Sequence, residues 1–239
     1  MLTADAGVTY SDLIEARVSY SHNVNNPSRK MQDSDWDDSD NPSLLTVYSE
    51  SNASLNANII DADIKVWLWR SFDENRNVVA ALGPGAGYYY QNLNWDIHDV
   101  DQWYPSNPAI PHDIIPGPAL TYDAKIYSPY VGIYGKLNTS RVLLNANFGW
   151  CFVSTHEVDN HLLRSKVSTT DGTGEGIKAR VSAKFLLGEG LYLMSDVSLF
   201  TFWATAMQTQ KIYDQELGRI ADKTKSTQLM YTLGVGYQF

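Results

Sequence analysis

The chain has a single cysteine, Cys151, in 239 residues, which excludes an internal disulfide and any cysteine-built metal site. It has no run of 18 apolar residues, so no helix of it can cross a bilayer. It has no basic cluster either. Lys and Arg number 18 against 27 Asp and Glu, a formal charge of −9, so a nucleic-acid partner is not expected and a cationic one suits the balance. Neither a basic n-region nor an apolar h-region is read in LTADAGVTYS after Met1. Repeats and low-complexity tracts are also missing. None of this excludes a membrane, because a transmembrane strand needs only about 9–11 alternating residues and averaging over its two faces hides it from hydropathy.

What the chain does have is alternation. From Val142 to His161, Val142, Leu144, Ala146, Phe148, Trp150 and Phe152 alternate with Leu143, Asn145, Asn147, Gly149 and Cys151. This period of two makes a strand with unlike faces, longer than the apolar band it carries. Eight further strands are read: from Leu2 to Tyr10, Ile14 to Tyr20, Leu55 to Trp69, Val78 to Tyr90, Tyr122 to Leu137, around Ile177 to Phe185, Leu191 to about Gln208, and Leu229 to Phe239. A parity change at Ile59-Ile60 predicts a bulge. Gly83, Gly85 and Gly87 predict room inside a barrel, and Lys178, Arg180 and Lys184 are expected to face the lumen because a bilayer would reject them.

Short turns alternate with long loops at about residues 22–53, 96–121, 163–174 and 209–226. That is the rhythm of a transmembrane β-barrel with long extracellular loops. The expected architecture is therefore all-β and antiparallel, one barrel domain over residues 1–239, ending on an aromatic residue. The 15 Tyr and 7 Trp suit interfacial girdles. Bacterial single-chain barrels have even strand numbers, so a nine-stranded reading carries the expectation of one further strand before Met1.

Two constellations could carry chemistry. Glu157, Asp159 and His161 share one face of the long strand, and a carboxylate beside an imidazole fixes its tautomer and stabilises the imidazolium a general base becomes. Met31-Gln32-Asp33-Ser34-Asp35-Trp36-Asp37-Asp38-Ser39-Asp40 crowds acids in the first long loop. A solvated acidic loop is the plain reading. A calcium loop is disfavoured, since Asp38 and Leu44 stand where its glycine and glutamate belong. Cys151 lies roughly 33 Å along the strand from His161 at about 3.3 Å per residue and reads as a small lumen filler. No GxSxG elbow occurs. His98 and His112 read as loop residues without metal partners, and no metal site is expected.

Taken together, MQDSDWDDSDNP, STHEVDNH, SLNANIIDADIKVWLW, SPYVGIYG and LGVGYQF resemble the omptin family, the outer-membrane endoproteases of Gram-negative bacteria. The resemblance covers most of Leu2 to Phe239. It implies a ten-stranded barrel, of which this chain carries nine strands, with its groove above the membrane on the extracellular side. Asp33 and Asp35 would form one catalytic pair and Asp159 and His161 the other, activating water between them without an acyl-enzyme. Glu157 would recognise the basic side chain before the cleaved bond, and Met31 would wall that pocket. The implied substrates are polypeptides with basic residues. The implied surroundings are outer-membrane lipid and lipopolysaccharide, contacted through Lys125. No cofactor is implied, although lipopolysaccharide is expected to support activity. The family's first strand adds a second acid to the pocket; it is absent here, and specificity would rest on Glu157. The competing readings are a non-catalytic barrel, adhesin or pore, and a lipid-hydrolysing barrel using a serine. The protease is preferred because all four polar residues of both motifs occur together.

Overall fold

Alternation of period two gives each strand one face for the interior and one for the outside, and the sheet follows from pairing those faces in register. The computed structural model describes residues 1–25, 28–36, 38, 40–73, 78–213 and 215–237. Its elements among these residues are strands: β1 (Leu2–Tyr10), β2 (Ile14–His22), β3 (Ser28–Asp35), β4 (Val47–Val66), β5 (Trp69–Asp73), β6 (Val78–Trp103), β7 (Asp113–Asn138), β8 (Val142–His161), β9 (Lys166–Gly188), β10 (Leu191–Ile212) and β11 (Gln215–Tyr237). One antiparallel sheet runs β1-β2-β4-β6-β7-β8-β9-β10-β11. β3 lies against 47–54 of β4, beyond the part that β2 covers, and β5 pairs with 78–82 of β6 beyond β4. The eleven segments thus occupy nine positions across the sheet, the number read from the sequence. The sheet is not closed: β1 and β11 are its two ends.

The sheet curls round an interior, because contacts reach across strands that are not neighbours. Gln91 of β6 and Gln228 of β11 exchange hydrogen bonds of 2.6 and 3.0 Å. The Lys178 ammonium of β9 meets the Asp61 carboxylate of β4, and the Tyr130 hydroxyl of β7 donates to the same carboxylate at 3.0 Å. Arg180 pairs with Asp196 at 2.6 Å, and Lys65 with Glu15 at 3.0 Å. Burying charges is tolerable only when they are paired, and here the basic residues of β9 face inward as expected. Apolar filler completes the layer: Cys151, Val153, Phe200 and Phe202 are buried. The outer face is the reverse. Val131, Ile133, Phe148, Trp150, Phe152, Leu229, Leu233 and Val235 are exposed, an apolar belt that only a lipid environment or a partner would accept.

Gly83, Gly85 and Gly87 sit on the inner face of β6. A methyl at Gly83 would fall on the backbone carbonyl of Val66, and methyls at Gly85 and Gly87 on the Tyr134 and Tyr130 rings. The room read from the sequence is therefore filled by two tyrosines of β7. Gly83→Ala is expected to lower stability by about 1–3 kcal/mol, the usual range for overpacking, read as an earlier urea midpoint of the refolded protein in detergent.

Three sequence expectations are corrected. The loops at about 163–174 and 209–226 are mostly strand: β9 starts at Lys166, β10 runs to Ile212 and β11 starts at Gln215. Strand also claims much of 22–53 and 96–121. The inward residues of these tall hairpins are in part small and polar, Ser51, Ser168 and Thr170 among them, all buried, so little apolar alternation marks them, while ladder bonds still satisfy their backbones. β6 and β7 each reach 26 residues against the roughly 9–11 that a bilayer requires. Second, β4 has no bulge at Ile59-Ile60. Its register with β6 is unbroken from Asn52 to Lys65 and shifts instead between Glu50 and Asn52. Ile59 is core and Ile60 faces outward, and both surroundings accept isoleucine. Third, His98 belongs to β6 and bonds Asp99 at 2.7 Å; His112 does lie in the connection between β6 and β7, where it stacks on Trp103 and bonds Asp101 at 2.8 Å. Asp37 of the acidic stretch and the terminal Phe239 lie outside the described residues.

Candidate active site

β8 continues upward from its apolar band, and its inward parity carries Val153 and Thr155 on to Glu157, Asp159 and His161. Asp159 lies in register with Tyr122 of β7 and Ser168 of β9, two strands that clamp it from both sides. The His161 Nε2 and Asp159 Oδ2 are 3.0 Å apart, each side chain about a quarter exposed. Asp159 thereby holds the Nε2 proton and leaves the Nδ1 lone pair as the basic position of the ring. The other carboxylate oxygen, Oδ1, is buried without a hydrogen-bond partner among the described residues.

Glu157 is buried at 7 % exposure. Its carboxylate accepts hydrogen bonds from the Tyr122 hydroxyl and, across the interior, from Thr224 Oγ1 of β11 at 3.2 Å. Burial pushes the Tyr122 phenol far above its ordinary pKa, and the Glu157 carboxylate that it bonds adds to this, with the charges of Asp159 and Asp222. The phenol therefore stays a donor at any working pH.

The acidic stretch is not a loop where it matters. Met31, Asp33 and Asp35 project from one face of β3, paired to Ser51, Ser49 and Val47 of β4. The end of β3 is secured by Thr46, whose amide and hydroxyl both donate to the Asp35 carbonyl at 2.9 Å. Asp33 is exposed and Oδ1 accepts the Ser34 amide at 2.9 Å. Met31 opens onto a cavity of about 380 Å³ that Tyr122 also lines. Tyr122 therefore joins the two regions, touching Met31's cavity and bonding Glu157.

The structure thus pairs Asp159 with His161 and places Glu157 on their face. Met31 and Glu157, expected in one pocket, both meet Tyr122: Met31 lines a cavity with it and Glu157 accepts its hydroxyl. Lys125 is outside the site, half-buried on the opposite, outward parity of β7 and in register with Asn92 and His156. Among the described residues no group of three or more His, Cys, Asp or Glu side chains is placed to hold a metal. Sequence reasoning missed Tyr122 and Thr224. The inward parity that Tyr122 shares with Ala124 and Ile126 was the available signal; Thr224 fell in an expected loop.

Fold and surface define a class first: an antiparallel all-β sheet, apolar outside and ion-paired inside, is a barrel of the outer-membrane type. The chain belongs to the omptin family, whose pattern it matches over residues 5–239, and so to the outer-membrane proteases. It is similar in fold to the outer membrane protease OmpT from Escherichia coli. The TM-score is 0.78 at 18% identity, over 98% of this chain and 82% of that one. No curated protein matches the sequence.

Proposed function

We propose that this protease is an endopeptidase that hydrolyses peptide bonds at basic residues, using water activated between the Asp159–His161 pair and the Asp33–Asp35 pair, on the extracellular side of the membrane. The observation that carries the reading is the 3.0 Å contact of His161 with Asp159 on the same inward face as the buried carboxylate of Glu157. In this reading His161 Nδ1 takes a proton from the water as its oxygen bonds to the substrate's carbonyl carbon. Asp159 stabilises the imidazolium, and Asp33 and Asp35 hold the water and the tetrahedral intermediate from β3. The C–N bond then breaks and the imidazolium returns its proton to the departing amine. Glu157, its position set by Tyr122 and Thr224, pairs with the substrate's basic side chain. Lys125 is assigned to lipopolysaccharide because it lies on the outer face.

The test is cleavage of an Arg-Arg peptide by the protein refolded in detergent with lipopolysaccharide. Charge-assisted hydrogen bonds contribute about 1.5–3 kcal/mol, so Glu157→Gln is expected to raise KM for this peptide roughly tenfold or more. A matched Gln-Gln peptide should be unaffected. Equal cleavage of both peptides by the parent protein, or no cleavage of either, would overturn the reading.

A further inference from the structure

Acids crowd the inner face of the site. Glu157 and Asp159 of β8 and Asp222 of β11 lie close enough together for all three charges to act on the Tyr122 hydroxyl, and Asp33 and Asp35 project from β3. Peptide hydrolysis adds one more negative charge, carried by the carbonyl oxygen in the tetrahedral intermediate, and stabilising that oxygen is usually the largest single contribution to acyl transfer. A carboxylate repels it. Lys166 is the cation that stands beside these acids. It opens β9 in register with His161 across the β8–β9 pair, and it shares the parity of Ser168 and Thr170, which are buried and inward. Its own side chain is half-buried. Lys65, Lys136 and Lys178 in the barrel interior are all ion-paired, whereas the Lys166 ammonium has neither an ion pair nor a hydrogen bond among the described residues.

Resting on the endopeptidase reading above, we infer that Lys166 is a catalytic residue, the cation that receives the oxyanion of the tetrahedral intermediate. Position carries the assignment. Residues directly opposite on adjacent antiparallel strands have Cβ atoms about 4.5–5.5 Å apart, so the lysine stem leaves the sheet next to the imidazole, and its length brings the ammonium to a carbonyl attacked by water at His161. The backbone beneath it is fixed. Residues 162–165 make a tight turn in which the Arg164 amide donates to the His161 carbonyl at 3.2 Å, Ser165 has a φ of 49°, and the Ser165 carbonyl accepts the Tyr213 amide at 3.4 Å. Arg29 also has inward parity, but Ala53, Ile97 and Leu120, on three successive strands, stand between it and His161. As the water oxygen bonds to the carbon, the C=O π pair moves onto the carbonyl oxygen, and the ammonium donates a hydrogen bond to it while keeping its proton. When the C–N bond breaks, that pair re-forms C=O, the imidazolium proton goes to the departing amine, and Lys166 is unchanged. The roles are then separate: His161 moves the proton, Asp33 and Asp35 hold the oxygen that came from water, and Lys166 takes the new charge.

The experiment compares the refolded parent with Lys166→Ala, Lys166→Met and Lys166→Arg. Two ligands are used: an Arg-Arg peptide, and the same peptide with a phosphinate in place of the scissile amide, an anionic mimic of the tetrahedral intermediate. Loss of one donor to an oxyanion costs about 10²–10³ in kcat. Lys166→Ala and Lys166→Met are expected to lose that factor with KM nearly unchanged, the pattern of a contact made only in the transition state. Lys166→Met keeps the stem, so a loss common to both variants reports the charge, and Lys166→Arg should retain most of the activity. Ethylammonium added to Lys166→Ala should restore part of kcat, which a merely structural lysine would not allow. The phosphinate is expected to bind the parent at least about a hundredfold tighter than Lys166→Ala, at the low end of transition-state-analogue gains. The amide peptide, titrated into His161→Ala with and without Lys166→Ala, should bind alike. Cleavage by Lys166→Ala and Lys166→Met at the parental rate, or a phosphinate held equally with and without the ammonium, would overturn the assignment and leave the endopeptidase reading in place. Phosphinate binding that depends on Lys166 in a parent that cleaves no peptide would sink the endopeptidase reading and leave the cation site standing.

Discussion

His161→Ala is expected to lower kcat for an Arg-Arg peptide by about 10²–10⁴-fold, the range that a positioned general base contributes. KM should move little, because the residue that carries substrate charge in the proposed arrangement is Glu157, on the same strand but bonded elsewhere. Among the described residues the imidazole is held by Asp159 at 3.0 Å, so its removal breaks no wider scaffold and far-ultraviolet circular dichroism should be unchanged. Asp159→Asn is expected to lose a large part of the same factor. An amide can present N–H where the carboxylate accepted one, which favours the wrong tautomer and withdraws the charge that stabilises imidazolium. Asp33→Ala tests the second pair of the proposed arrangement. If cleavage at parental rate survives both His161→Ala and Asp33→Ala, the water is activated by other groups. Inhibition by a serine-directed reagent would then favour the alternative nucleophile.

The second large effect lies in the interior of the barrel. Lys178→Met is expected to destabilise the protein by about 3–5 kcal/mol, because breaking a buried ion pair leaves the surviving charge without its partner. Lys178 is 3 % exposed and Asp61 8 %. The ammonium also donates to the Tyr130 hydroxyl at 3.2 Å and sits over the Tyr130 and Tyr89 rings at 4.3 and 4.8 Å. Methionine keeps much of that packing and removes the charge. Asp61 would then retain the Tyr130 hydroxyl, a neutral donor in place of a cation. The double variant Asp61→Asn, Lys178→Met should recover most of the loss, since no unpaired charge remains, and the double-mutant cycle isolates the coupling. Urea midpoints in lipid vesicles measure all three. A single variant as stable as the parent would mean that water solvates Asp61 inside the barrel.

How far the sequence could be read depended on where alternation has two unlike surroundings to report. In β8, lipid on one side and a packed interior on the other impose the period, and its bounds, Val142 to His161, were read as the structure has them. In β11 the residues from Gln215 to Ala221 are mostly exposed, so the same backbone geometry leaves no mark on composition. The Ile59-Ile60 pair misled for the converse reason: an apolar residue satisfies the lipid face and the packed interior equally, so two in succession do not signal a change of parity. Asp159 and His161 were legible as a pair because spacing of two is a local property. The part of Tyr122, which lines a cavity with Met31 and bonds Glu157, was not, because it comes from a third strand.

By itself, then, the sequence determined the all-β class, the nine strand positions, the inward face of β8 and of the basic residues on β9, and the Asp-x-His on β8. These follow from side-chain periodicity, which each residue pair sets for itself. Only the tertiary structure decided which faces meet: Tyr122 of β7 and Thr224 of β11 both bonding Glu157 of β8, Lys178 of β9 against Asp61 of β4, and Met31 sharing a cavity with Trp95. Those contacts join residues 35, 67 and 117 positions apart for the three hydrogen-bonded pairs. They depend on the stagger between strands and the curl of the sheet, which are properties of all the strands at once and of no segment alone.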